Sequence, residues 1–389
     1  MKNRPVRVCG ALCAACLAFV LCTAAAPFAF LEPEPPHENA VGVLIPLSGK
    51  WESVGQKILR GVLLAQGVFA QGQASNVRLV IRDYGNSEDS IPSIIDELER
   101  DHSIVAIIGP VGERASEIAC GESRKRGLPA VMFTQAEIAP MDGTYCFRNF
   151  LTIDMQARAL LAAARAMGIT RFGVMSPDDH FGRAFSERFQ RLAPSFGVQV
   201  VRTRIYPLQK ADYKQELTAL FPGLKRRVSK AGAGDPEAVL IPDSAQNAAV
   251  IASYFSYFKM RNVRIFGPTL WDSPEFLKVG GKYVEDAIFL SGFFQGSVGS
   301  PVQNFTRVFQ DTFHSQPSVW EACAYDTARI IQGFFQEHQS STMDLRAYLA
   351  GVREFHGASG TTSFLPDGSL EKSPYLLTVR NGTVQEILP

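Results

Sequence analysis

Between residues 41 and 292, short apolar runs alternate with longer stretches whose apolar positions recur every three or four residues. The runs are apolar throughout instead of alternating with polar positions, as strands covered on both faces of a parallel sheet require. They predict strands at Val41 to Pro46, Val77 to Arg82, Ile104 to Gly109, Ala130 to Phe133, Arg171 to Ser176, Gln199 to Tyr206, Ala238 to Pro242, Val263 to Gly267 and Ala287 to Gly292. Between them, the spacing predicts helices at Gln56 to Ala70, Ser90 to Asp101, Glu113 to Arg126, Asp154 to Met167, Gly182 to Ala193, Tyr213 to Leu220 and Ala245 to Met260. This order predicts an α/β fold with doubly wound parallel sheets. Ser318 to Gln336 and Thr342 to Val352 continue as helices, and then the rhythm shortens to strands joined by Asp367-Gly368 and Asn381-Gly382. Both dipeptides are strong hairpin turns, so an antiparallel element follows the parallel body.

In open parallel sheets, ligands sit beyond the carboxyl ends of the strands, where loops lead into helix N-termini. Those loops are marked here by Gly and Pro with small hydroxyl or amide residues: Pro46-Leu47-Ser48-Gly49 with Trp51, Gly109-Pro110-Val111-Gly112, Thr134-Gln135-Ala136, Ser176 to Gly182, Pro242-Asp243-Ser244, and Gly267 to Ser273. Singly, each also fits an ordinary turn or cap, and Ser48, Thr134 and Ser244 are open to that reading.

At 389 residues, the chain is long enough for two lobes. Residues 1–26 read as a secretory signal, with Lys2, Arg4 and Arg7 ahead of an apolar stretch and Thr23-Ala24-Ala25-Ala26 as the cleavage site, Ala29 being the second choice. Residues 27–39 are rich in Pro and Glu and read as an extended linker. Lipidation at Cys22 is an alternative, but Leu21 stands where a small residue is wanted. Loss of the three leader cations takes the formal charge of +1 to −2, which leaves no electrostatic footprint for nucleic acid. The basic cluster Lys225-Arg226-Arg227 with Lys230 reads as a solvated loop. Cys120 and Cys146 could pair in an oxidising compartment or remain buried thiols beside Cys323.

The six histidines are scattered and form no metal-ligand spacing, and no nucleophile elbow, P-loop or dinucleotide fingerprint occurs. The expectation is no enzyme, no cofactor and no metal. Asp178-Asp179-His180 is the one tempting cluster, and its place before a helix suits capping.

The ordered set VGVLIPLSGKWESVGQKILRGVLLA, VAIIGPVGE, LPAVMFTQA, YCFRNF, FGVMSPDDHFGRAF, AVLIPDSAQ, RIFGPTLWDSPEF and YDTARII, closing with FHGASGTTSFLPDGSLEKSPYLLTVRNG, resembles the type I periplasmic solute-binding proteins. More narrowly it resembles their leucine/isoleucine/valine-binding, receptor-family ligand-binding group, which serves ABC transporters. The Pro242-Asp243-Ser244 and Gly280 to Glu285 passages are similar to the penicillin-binding-protein-activator branch. The resemblance implies two lobes, one of residues 40–150 and 294–357 and the other of 151–293 and 358–389. Three crossovers near Phe150-Leu151, Phe293-Phe294 and Gly357 to Gly360 would join them, with hinge closure on a ligand between them.

It also implies contacts from Ser48 and Trp51, from Pro110, Val111 and Gly112, from Thr134 and Gln135, from Phe181, from Asp243 and Ser244, and from Trp271 and Asp272. The chain departs from the family's amino-acid pattern: its Val111-Gly112 loop has no Ser, and Glu137 stands where a hydroxyl is expected. Phe181 lacks the usual aromatic hydroxyl, and only Trp271 and Asp272 stand near the position of the acid that meets an ammonium. With Trp51, these aromatics suggest a flatter or more apolar ligand. The implied function is a periplasmic receptor handing a small polar or amino-acid-like ligand to an inner-membrane ABC permease. The alternative is an envelope module that regulates peptidoglycan synthesis through contact with a peptidoglycan synthase.

Overall fold

The apolar runs form two separate parallel-dominated sheets. The computed structural model describes residues 39–69, 77–101, 104–137, 141, 143–208, 210–225, 235–260, 262–337 and 344–388. The leader, the linker up to residue 38 and the basic cluster beyond Lys225 lie outside them.

The first sheet holds β1 (Ala40–Ile45), β2 (Arg78–Asp83), β3 (Ile104–Val111), β4 (Ala130–Phe133) and β5 (Cys146–Arg148). All pair in parallel, in the order β2-β1-β3-β4-β5. The second holds β6 (Arg171–Pro177), β7 (Gln199–Tyr206), β8 (Ala238–Leu240), β9 (Arg264–Gly267) and β10 (Ile288–Ser291). A third, small antiparallel sheet contains β11 (Phe355–Gly357), β12 (Gly360–Phe364) and β13 (Leu370–Lys372). The last two strands, β14 (Tyr375–Arg380) and β15 (Thr383–Glu386), add antiparallel to the second sheet, giving β15-β14-β10-β9-β8-β6-β7.

Helices cover both faces, as the unbroken apolar character of the strands demands. On the first sheet, α1 (Glu52–Ala65) packs on one face, and α2 (Ile91–Arg100) and α3 (Glu113–Arg126) pack on the other. On the second, α4 (Ile153–Ala166) and α5 (His180–Leu192) lie opposite α6 (Lys214–Leu220), α7 (Ala245–Tyr257) and α8 (Pro274–Gly280). Then α9 (Ser300–Phe313), α10 (Val319–Glu337) and α11 (Leu345–Gly351) return to the first lobe, where α10 joins the α1 core through Ala324, Ala328 and Ile331.

Three elements escape the sequence pattern: β5, α8 and α9. The first two have three and seven residues, too short for a period to show. The third buries Val302, Phe305 and Phe309 at helical spacing, but a Gly- and Ser-rich run precedes it and hides its start. Helix α1 begins at Glu52, ahead of the expected Gln56. Gly55 permits this, because a Cβ there would lie 1.8 Å from the Pro46 carbonyl oxygen.

The resemblance places the third crossover at 357–360. In the structure, Phe364 and Leu370 still pack in the first lobe's core, and the chain enters the second sheet at Tyr375. Beneath this segment lies a buried polar network. Lys372 Nζ donates to Asn149 Oδ1 (2.9 Å), Ser359 Oγ (2.8 Å) and Thr362 Oγ1 (2.7 Å). Asp326 accepts from the Ala358 and Ser359 N–H groups (2.8 and 2.7 Å). Cys120 of α3 and Cys146 of β5 form a disulfide, with Cα atoms 5.3 Å apart. Cys323 is a buried free thiol whose pKa burial pushes up to about 11.

Candidate functional site

A cavity of about 380 Å³ opens at the carboxyl ends of the first lobe's strands, within the size range of small-molecule sites. Trp51 and Gln135 reach it from the loops after β1 and β4, Val111 and Phe133 from the last positions of β3 and β4, and Val319, Trp320 and Cys323 from the first turns of α10. Phe150, Leu151 and Gly292 come from the segments joining the lobes, and Thr269, Leu270 and Asp272 from the loop after β9. Phe150 and Trp320 stack, with ring centroids 4.5 Å apart.

Of the residues expected at the site, Trp51, Val111, Gln135 and Asp272 line this cavity. Phe181 lines a second recess, which shares Gln135 and includes His180, Arg188 and Arg191. The remainder hold the loops in place. Ser48 donates to Asp83 Oδ2 (2.7 Å), and the Leu47 N–H to Asp83 Oδ1 (2.7 Å), pinning the turn after β1 to the end of β2. Burial tends to raise the Asp83 carboxyl, but the Ser48 hydroxyl and the backbone N–H groups of Gly85, Leu47 and Ser48 outweigh it and hold the carboxyl below its usual range.

Pro110 is buried at the end of β3, and the Gly112 N–H donates to the Phe133 carbonyl (3.0 Å). Thr134 is buried, and its hydroxyl accepts from the Ala136 N–H (3.1 Å). Ser244 caps α7, accepting from the Asn247 N–H (3.3 Å). Asp243 accepts from the Tyr206 hydroxyl (2.7 Å), raising that phenol's pKa beyond what burial alone does.

Trp271 turns away from the cavity into the second lobe's core. It is 1% exposed, stacks on Phe276 at 4.8 Å and donates from Nε1 to the Asp243 carbonyl (3.2 Å). Gly267 makes the space, since a Cβ there would lie 2.1 Å from the indole. The expected contact at Trp271 is therefore corrected: its neighbours Thr269, Leu270 and Asp272 line the cavity, and the indole anchors the loop in the core.

The sequence reading missed Trp320. The marked loops all follow strands, whereas Trp320 stands in the first turn of a helix that follows another helix. A tryptophan two residues after Pro317-Ser318, at a helix start, was the available signal.

Electrostatically the wall is one-sided. Among the described residues of the wall, Asp272 is the only charged side chain, and no described cation pairs with it. Solvent reaches Asp272, but the surrounding protein pushes its carboxyl above the ordinary range against the opposing hydrogen bond from Ser291. Glu137 pairs with the buried Arg148 (3.0 Å), which also donates to the Ala136 carbonyl (2.7 Å). Among the described residues, no group of three or more His, Cys, Asp or Glu is placed to hold a metal ion, and no helix is long and apolar enough to cross a membrane.

A family model described as periplasmic binding protein matches residues 39–383. A comparison with curated proteins returns no match. Among solved structures, a Rhodospirillum rubrum protein assigned to branched-chain amino acid ABC transport is similar at a TM-score of 0.78 and 19% identity, covering 90% of this chain and 99% of that one. A branched-chain amino acid transporter substrate-binding protein from Streptococcus pneumoniae, in complex with isoleucine, gives 0.64 at 18% identity and covers 90% and 99%. A solute-binding protein from R. palustris, in complex with benzoate, gives 0.62 at 16% identity and covers 90% and 95%.

Proposed function

The chain belongs to the periplasmic binding protein family, and from that membership we propose that it is an exported receptor for a small organic solute, an amino acid or related metabolite. It would close its lobes on the solute and present it to an inner-membrane ABC permease. The observation that carries this reading is the composition of the cavity wall: both lobes and two of the segments joining them contribute to one pocket. Occupancy and lobe closure are then coupled, as a receptor requires.

The neighbours' range, isoleucine in one and benzoate in another, supports a small organic ligand without naming it. Periplasmic residence follows the family and agrees with the leader read at residues 1–26.

Thermal-shift screening of the purified protein against amino acids, amines and aromatic acids tests the reading. Ligand at a hundred times its Kd adds about 2.7 kcal/mol to stability, a shift of several degrees. A flat response across a broad library overturns it.

A further inference from the structure

The second recess, of about 560 Å³, lies between the lobes and meets the ligand cavity at Gln135. Its two walls differ in charge. Glu113 and Glu137 line it from the first lobe, and Arg188 and Arg191 line it from α5 of the second, beside His180 and with Glu187 as the one acid there. His180, Ala184, Glu187 and Arg191 recur at helical spacing, so one stripe of α5 is turned toward the first lobe.

The same charges flank the first crossover. Arg148 ends β5 in the first lobe, and Asp154 stands in the first turn of α4 in the second. Each is paired within its own lobe: Arg148 with Glu137 at 3.0 Å, and Asp154 with Arg188 at 3.0 Å and Arg158 at 2.6 Å. Neither pairing is complete. Arg148 is 4% exposed, and its Nε has no hydrogen-bond partner among the described residues. Asp154 Oδ1 is also buried and meets Arg188 as an ion pair without hydrogen-bond geometry. Arg191 is exposed and has no described partner, while the Glu137 side chain is 46% exposed and free to turn.

An acidic wall and a basic wall attract more strongly as the gap between them narrows and water leaves it. We propose that this recess is an electrostatic latch on lobe closure: as the lobes approach, Glu137 reaches from Arg148 to Arg188 and Arg191 and ties the end of β5 to α5. Glu187, on the same stripe, weakens the attraction and keeps closure reversible. The latch rests on the receptor reading and deepens it, because it sets how much of the unliganded protein is already closed and therefore the affinity a ligand shows.

Interlobe distance distributions test it. Spin labels at Ser93→Cys on α2 and Ser195→Cys beyond α5 sit on exposed positions outside the recess. Only these thiols label, because Cys323 is buried and Cys120 is bonded to Cys146. Pulsed electron paramagnetic resonance on the unliganded protein should show a short-distance, closed population that falls at least about threefold between about 20 mM and about 500 mM salt, as screening removes the attraction. Arg191→Glu should lower that population at least about threefold at low salt and abolish its salt dependence, while the melting transition stays cooperative. The double variant Glu137→Gln with Arg191→Gln should lose less than the sum of its two single variants.

A closed population that ignores salt or survives Arg191→Glu overturns the latch, as does its absence from the wild type at low salt. Additive losses overturn the pairing of Glu137 with Arg191. Each of these results leaves the receptor reading standing, since only a flat response from the wider library removes it.

Discussion

The indole of Trp320 stacks on the ring of Phe150, with 4.5 Å between centroids and 21° between planes. The start of α10 and the first segment between the lobes therefore form one wall. Both rings line the cavity and also pack on the first lobe's core, so truncation removes ligand contact and core contact together. Trp320→Ala should weaken the ligand found by screening by at least about tenfold, as loss of an aromatic anchor does, while costing about 2 to 3 kcal/mol of stability for the lost packing of a half-buried indole. Parallel calorimetric and denaturant titrations check this; unchanged affinity would show that the ligand sits elsewhere.

The Cys120–Cys146 bond closes a loop of sequence separation 26, tying α3 to the edge strand β5. Closing a loop of that length stabilises a fold by about 3 to 4 kcal/mol in the chain-entropy description. Reduction, or Cys146→Ser, should therefore lower the melting temperature by several degrees without abolishing binding, because neither cysteine lines the cavity. Melting curves with and without dithiothreitol measure it, and coincident curves would contradict the prediction.

Lys372 and Asp326 share Ser359 inside the first lobe, and burial pushes the Asp326 carboxyl up and the Lys372 ammonium down. Removing one partner leaves the other's buried charge uncompensated, which costs about 3 to 5 kcal/mol. Lys372→Met should lose stability on that scale. The double variant Lys372→Met with Asp326→Asn should recover a substantial part, since an amide oxygen can still accept from the Ala358 and Ser359 N–H groups. Urea unfolding of the wild type, single variant and double variant decides this, and additive losses would show that the two groups are not coupled.

Much of the parallel architecture was legible because strands buried on both faces leave unbroken apolar runs. Ala130 to Phe133, buried throughout, matches the structure residue for residue; Gln199 to Tyr206 matches as well, but as a half-buried edge strand interrupted by arginines. The loops were legible as a set, but which of their side chains face the cavity was not. Ser48, Thr134 and Ser244 look alike in sequence, and all three spend their hydroxyls on neighbouring groups of the chain. Trp271 and Trp51 also look alike, yet one is 1% and the other 43% exposed. The difference is Gly267, which leaves room for one indole to turn inward. That is a long-range packing fact with no period to announce it.

Asp272 should also show a conflict between function and stability. Its carboxyl titrates above the ordinary 3.8 in the folded chain, so the folded state holds that proton more tightly than the unfolded state does. The stability contributed by the protonated form is fully present below the unfolded pKa and is lost as pH rises through the folded one. At neutral pH the ionised carboxylate therefore opposes folding, and Asp272→Asn should raise the melting temperature there while keeping an oxygen that can accept from Ser291. The gain should shrink on acidification and fade as the pH falls well below 3.8, where both states of the wild type become protonated. Melting curves of the two proteins from pH 3 to 8 measure the difference directly. A variant less stable than the wild type at pH 7 would contradict the prediction and show that the hydrogen bond from Ser291 to the carboxylate outweighs its burial.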